Sequence, residues 1–276
     1  MTKILIIIPI LNEAETIKHL LEHLLKNSSK ENIAEIIVVD GGSTDASKDI
    51  VLPFVTSSES NVSLSVVTEQ SRSAVENKFD LYRESDKKGL DTFPQSENTR
   101  PDILLKNSEK GRAKQMNTGS SFATGDILYF LHADSFPPKN FDLYIINEVE
   151  KGNLAGCFRL QFNHNHWWLR LASWLTQFRW RACRGGDQSQ FITKELFDEI
   201  GGFDEAYTIY EDNILINELY KRKQFTVINK KLITSARRYK QHGIWKLQYH
   251  FWTIYVKKWL GASAEELYDY YKKYVA

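Results

Sequence analysis

The chain opens on an apolar run, KILIIIPI, of a length that fits a buried strand. Polar residues follow at once. Asn12 is predicted to cap a helix, with Glu15 completing a capping box and Ile17, Leu20, Leu21 and Leu24 forming the apolar stripe. EIIVVD reads as a second buried strand, GGSTDASKDIV as a turn into a helix capped by Ser43 or Thr44, and VSLSVVTE as a third strand. Buried strands separated by helices predict an α/β protein with a parallel sheet and right-handed crossovers.

From Ser71 to Glu109 the pattern dissolves into polar, aperiodic sequence. A loop of that length signals a disordered insertion or a lid, so the segment is expected to lie outside the sheet core and to be cut first by proteases. Order returns with GRAKQMNTGSSFATG, a helix ending at Gly125, and with GDILYFLHADS, in which an apolar strand finishes on His132, Ala133 and Asp134. Beyond it, helices are predicted over Asn140–Lys151, Trp167–Trp180, KELFDEIGGF and EDNILINELYKR, and strands over AGCFRLQF, DQSQFIT, FTVI and KLITSA. A last amphipathic helix is expected from Gly243 to Leu260. Trp245, Tyr249, Trp252, Val256 and Trp259 share one face, which would dock either on the protein's own core or on a membrane surface.

Composition changes this picture little: 276 residues, 42% hydrophobic and 26% charged, are those of a globular chain. A net charge of +1 gives no global field to recruit nucleic acid, so any anion site must be local. Cys157 and Cys183 lack metal-ligand spacing and suit free thiols of a reducing compartment. The N-terminal apolar run is too short for a bilayer, and the expected location is cytoplasmic.

Polar clusters recur at strand ends and helix starts. Pro9, Asn12 and Glu13 follow the first strand; Asp40 with Gly41, Gly42, Ser43 and Asp45 follows the second. An acid there can accept from a ribose or base while glycines admit close backbone approach, although DGGSTD reads equally well as a turn and helix cap. No G-x-G-x-x-G follows a strand, which disfavours a nicotinamide enzyme. Lys110, Arg112 and Lys114 at a helix start make either a diphosphate clamp or a solvated basic face. Asp134 can hold Mg²⁺ when phosphate oxygens and water complete the shell. Glu211 and Asp212 in a helix first turn either offset the dipole or supply a general base. His164 and His166 lack a third ligand nearby and read as packing residues.

In order, IIIPILNEAETI, EIIVVDGGSTDAS, GRAKQMNTGSSFATGDILYFLHADS, GGDQSQFITKELFDEIGGFDE and YEDNILINELYKR resemble the family 2 glycosyltransferases, the inverting GT-A type, and among them a soluble bacterial subgroup with GRAxQMNxG and LHAD. The resemblance implies a single GT-A domain with a Rossmann-like, mostly parallel sheet. Residues 1–135 would form the nucleotide-sugar half, 136–242 the mixed acceptor and catalytic half, and 243–276 a C-terminal helical region. It implies a nucleotide-sugar donor, a UDP-sugar by preference, and a divalent cation, Mg²⁺ or Mn²⁺, on Asp134. Pro9, Asn12, Glu13, Asp40, Arg112, Asn117, His132 and Ala133 would line the donor site. His132 replaces the first Asp of the family's D-x-D and would contact the nucleoside. Gly186, Asp187 and Gln188 would face sugar or acceptor, Arg237 or Arg238 the leaving diphosphate, and Asp212, with Glu211 beside it, would be the base. Apart from the resemblance, a membrane contact through the amphipathic C-terminal helix would be peripheral, at the inner membrane face, and would deliver a lipid-linked acceptor. The alternatives are a nucleotidyltransferase, against which the missing Gly-rich basic N-terminal loop argues, and a degenerate nucleotide-sugar-binding protein.

Overall fold

The computed structural model describes residues 2–56, 100–185 and 188–275. Strands β1 (Ile4–Ile10), β2 (Ile33–Asp40), β3 (Asp102–Asn107) and β4 (Ile127–Phe130) run parallel and make one half of an eight-stranded sheet. The other half is mixed: β5 (Ser135–Phe136), β6 (Ala155–Phe162), β7 (Gln190–Thr193) and β8 (Thr226–Thr234), in the order β3-β2-β1-β4-β7-β6-β8-β5. The helices are α1 (Ile17–Asn27), α2 (Ser47–Val51), α3 (Arg112–Ser121), α4 (Phe141–Glu150), α5 (Trp167–Leu175), α6 (Lys194–Ile200), α7 (Glu211–Lys221), α8 (Arg237–His242), α9 (Ile244–Trp259) and α10 (Ala264–Tyr274).

The apolar run of β1 is buried on both sides, as a central parallel strand requires. Ile4, Ile6 and Ile8 pack with Leu20 and Leu24 of α1, whereas Leu5 and Ile7 join Ala113 and Met116 of α3 on the other face. Helix α3 can lie this close because residue 119 is glycine. A Cβ there would stand 2.5 Å from Cγ2 of Ile7.

Several boundaries differ from the sequence expectations. Helix α1 begins at Ile17, not at Asn12: Asn12 takes a left-handed backbone (φ 59°) and spends its side-chain oxygen on the Thr44 amide, 2.8 Å away. Helix α2 begins at Ser47, because Ser43 and Thr44 are drawn into the loop that closes on Asp40 and Asn12. Within the stretch expected to lie outside the sheet, Asp102–Asn107 forms the edge strand β3, paired to β2 from Glu35↔Asp102 to Asp40↔Asn107. Of this edge strand only Ile103 is fully buried; Leu105 packs with it on one face and Leu104 on the other, so a three-residue apolar run and backbone pairing to β2 hold it within otherwise polar sequence. The expected strand VSLSVVTE lies outside the described residues. FTVI and KLITSA belong to one strand, β8, whose middle at Asn229–Lys231 is exposed. The register with β6 slips at Phe158/Arg159.

Helix α5 ends at Leu175, five residues early, because Arg184 collects the carbonyls of Thr176 and Phe178 (2.5 and 2.8 Å). The aromatic stripe of α9 faces outward. Leu247 and Ile254 on the opposite side of the helix are buried, while Trp259 is 84% exposed. The stripe is therefore left largely uncovered at Tyr249, Val256 and Trp259, while Trp245 and Trp252 pack at one edge on Trp168. Among the described residues no helix is long and apolar enough to cross a membrane. Both cysteines are free thiols.

Candidate active site

The C-terminal ends of β1 and β2 lie side by side, with Pro9 opposite Val39 and Ile10 opposite Asp40. Their following loops are zipped together. The Asn12 amide donates to Ser43 Oγ (3.0 Å), Glu13 N–H to Ser47 Oγ (2.8 Å) and Ala14 N–H to Asp45 (3.1 Å). Asp40 is fully buried beneath this loop, accepting from the amides of Gly42 and Ser43 and from Lys48 Nζ at 3.0 Å. Burial pulls its carboxyl upward, but those hydrogen bonds outweigh it and hold the group below the usual carboxylate value. Its carboxylate thus organises the glycine turn from inside.

Under the same turn lies a residue that the pattern reading missed. Gln115 of α3 is buried and donates from Nε2 to Ile10 O and Val39 O, both at 2.8 Å, tying the two strand ends together. It also requires glycine at position 41, where a Cβ would meet the Gln115 amide at 2.8 Å. Apolar periodicity skips polar positions, and the one signal that includes it is its place as the glutamine of GRAxQMNxG.

His132 and Asp134 occupy the turn between β4 and β5. Both are half-buried, while Leu131, Ala133 and Ser135 around them are buried. The turn is fixed by its backbone: His132 N–H donates to Ser189 Oγ (3.4 Å), and Asp134 O accepts from Ser235 N–H (3.2 Å). Ser189 and the buried Gln188 thus sit against the same strand end. Neither amide atom of Gln188 has a hydrogen-bond partner among the described residues, which suits a side chain awaiting a polar ligand. Gly186 and Asp187 lie outside the described residues.

Asp134 and His132 offer one carboxylate and one imidazole. Asp134 could hold Mg²⁺ or Mn²⁺ with diphosphate oxygens and water completing the shell, and the imidazole of His132 offers a hydrogen-bonding group beside it. Among the described residues no cluster of three or more His, Cys, Asp or Glu exists that could hold a metal ion by itself, so most of such a shell would come from the donor and water.

The acidic pair at the start of α7 is buried, Glu211 at 1% and Asp212 at 5% exposure. No side chain caps this helix, whose N-cap Tyr210 adopts a left-handed backbone (φ 73°). Arg112 of α3 reaches across to Glu211 Oε1 (3.3 Å) and Asp212 Oδ2 (3.4 Å), joining a parallel-half helix to one from the mixed half. Arg181 holds the same turn from the other side, donating to Asn213 O and Oδ1 at 3.2 and 3.0 Å. Arg237 joins the first loop by its ion pair with Glu13 (3.3 Å).

Other expected residues point elsewhere. Arg238 turns to the C-terminus, donating to Val275 O and lying over the Tyr271 ring. Asn117 spends both ends of its amide on Phe203 and Glu205, pinning the turn after α6. Lys114 pairs with Glu109. His166 caps α5 by accepting from Trp168 N–H, and His164 accepts from His166 N–H, in keeping with a packing role.

The sequence model described as "Glycosyl transferase family 2" matches residues 5–73 and 87–204, more than half of the chain. No curated protein sequence matches it. Solved structures resemble its fold. The mannosyltransferase PcManGT of Pyrobaculum calidifontis, in complex with GDP-Man and Mn²⁺, gives a TM-score of 0.59 at 15% identity over 98% of this chain and 70% of that one. TarS 1–349 of S. aureus with UDP gives 0.54 at 15% identity over 85% of this chain, and with UDP-GlcNAc 0.53 at 16% over 84%. The chain spans about 60% of that TarS fragment and 38% of the longer TarS chain. At such identities these likenesses establish the fold, a GT-A α/β architecture.

Proposed function

Because the chain belongs to glycosyl transferase family 2, we propose that it transfers a sugar from a nucleotide-diphosphate donor to an acceptor hydroxyl, in one inverting displacement with Asp212 as base. The observation that carries this reading is the bridge from Arg112 to the buried carboxylates of Glu211 and Asp212. It sets a positive group from the donor half beside a proton acceptor at the mixed half.

In this reading the zipped loops of Pro9, Asn12 and Glu13 receive the nucleoside, and Asp40 serves by holding the glycine turn. His132 donates or accepts a hydrogen bond at the nucleoside, Ala133 gives the turn its close packing, and Asp134 faces the diphosphate. A divalent cation held there would offset the charge of the leaving diphosphate. Asp212 takes the acceptor proton as the hydroxyl oxygen attacks the anomeric carbon from the face opposite the diphosphate. The new glycosidic bond forms as the bond to phosphate oxygen breaks, and a nucleoside diphosphate departs. Arg112, and Arg237 across the first loop, supply fixed positive charge for that departure. Gln188, with Asp187 by resemblance, contacts sugar or acceptor.

The donor is sought first among UDP-sugars, with GDP-sugars alongside, since the fold's solved relatives were captured with UDP, UDP-GlcNAc and GDP-Man. The test is nucleoside diphosphate release from a donor panel by the protein and by Asp212→Asn. The variant keeps shape and hydrogen bonding but not proton acceptance, so donor binding should survive while turnover falls by roughly 10²-fold or more. Near-normal turnover would remove Asp212 as the base. Donor binding with no release by the unsubstituted protein, across acceptors, would favour a degenerate binding protein.

A further inference from the structure

Helix α9 inverts the usual amphipathic arrangement. Its buried side is narrow, with Leu247 and Ile254, whereas Trp245, Tyr249, Trp252 and Val256 are 51%, 62%, 48% and 52% exposed and Trp259 more so. Helix α5 continues the surface. Trp167, Leu171 and Trp174 share its outer face at 60%, 38% and 50% exposure. The two faces are contiguous: the Trp245 ring lies 5.7 Å from Trp167 and 5.4 Å from Trp168, which also touches Trp252 at 5.7 Å. Scattered exposed apolar residues need no explanation, but a continuous patch on two helices does.

Charge indicates what covers it. Neither α5 nor α9 contains a single Asp or Glu, in a chain whose overall charge is +1. Arg170 and Lys246 are exposed beside the aromatic stripes, and Lys257 flanks the C-terminal end. A second copy docked by the same face would set these cations against each other with no acid on either helix to pair them. An anionic lipid surface meets both features, accepting indole rings at the headgroup level and cations at the phosphates.

We propose that the joined aromatic faces of α5 and α9 dock the protein peripherally on an anionic lipid surface. The consequence for the site follows from what α9 touches. Tyr255 donates to Asn213 Oδ1 at 3.3 Å and packs on Tyr210, and Lys258 lies over Tyr207, so the helix that meets lipid also contacts the turn carrying Glu211 and Asp212. Resting on the glycosyl-transfer reading, this makes the acceptor hydroxyl one carried at the lipid surface.

The test needs neither donor nor turnover, so its failure is separate from failure of the transfer reading. The full chain is sedimented with vesicles of phosphatidylglycerol and phosphatidylcholine, and with phosphatidylcholine alone, at low and at high salt. Binding to the anionic vesicles is expected, with a blue shift of tryptophan emission and weakening at high salt. The double variant Val256→Ser/Trp259→Ser, at outward positions, should keep its far-UV spectrum and thermal transition yet bind at least about tenfold more weakly, and Lys246→Glu should weaken binding further. No sedimentation with anionic vesicles at low salt overturns the proposal, as does equal binding by the double variant. A concentration-dependent dimer by light scattering that the double variant abolishes, without vesicle binding, assigns the face to a second copy instead.

Discussion

Replacing Gln115 by leucine keeps the side-chain volume of a buried position and removes both of its donors. In the native protein Nε2 supplies the carbonyls of Ile10 and Val39 at 2.8 Å each, where no water has access to the amide. Ile10 O retains the Gly41 N–H at 3.0 Å, so its loss is the smaller. Two internal hydrogen bonds at about 1 kcal/mol each give a destabilisation of about 2 kcal/mol. With a urea dependence of roughly 2–3 kcal/mol per M, the midpoint of unfolding should fall by roughly 0.7–1 M. The effect should also reach the donor. The Gly41 turn rests on the Gln115 amide, and the branched end of leucine displaces the loop that Asp40 otherwise holds, so donor affinity measured by calorimetry should weaken severalfold. Destabilisation below about 0.5 kcal/mol with unchanged donor affinity would show that the strand ends and the turn are held by something else.

Two further outcomes follow from the same geometry. Gly119→Ala places a methyl 2.5 Å from Ile7 Cγ2 and 3.2 Å from Val39 Cγ2, inside a close-packed layer; α3 must lift from the sheet, and a loss of about 1–3 kcal/mol should appear in the same urea titration. If Asp134 holds a divalent cation, activity should vanish with a chelator and return with Mn²⁺ or Mg²⁺. Asp134→Ala should then lose cation and donor binding together, whereas His132→Ala should weaken donor affinity and leave metal dependence intact; full turnover in excess EDTA would retire the cation.

The parallel half of the fold was legible in the chain, and the reason is physical. A central strand buried on both faces must be apolar throughout, so β1, β2 and β4 announce themselves, and β6 coincides with the run AGCFRLQF. Strand β3 was not legible, since only a three-residue apolar run marks it within otherwise polar sequence, and side-chain patterning does not record its backbone pairing to β2. The helix starts failed for a related reason. Asn12, Ser43 and Thr44 have the chemistry of caps, but their hydrogen bonds go across to the neighbouring loop, and only the sheet brings those loops within reach.

The site divides in the same way. Sequence order marked Asp40, His132, Asp134, Glu211 and Asp212 as chemically apt, because strand ends and helix first turns are where such residues can work. That Arg112 meets Asp212, one hundred positions away, and that Arg237 meets Glu13 across most of the chain, was decided by the curl of the sheet. Arg237 and Arg238 are chemically identical neighbours. Adjacent residues on a helix point about 100° apart, so one faces the first loop and the other the C-terminal helix. The stripe of α9 shows the limit most plainly: its period established a helix with one aromatic face, but which way that face turned depended on what the rest of the chain left to pack against it.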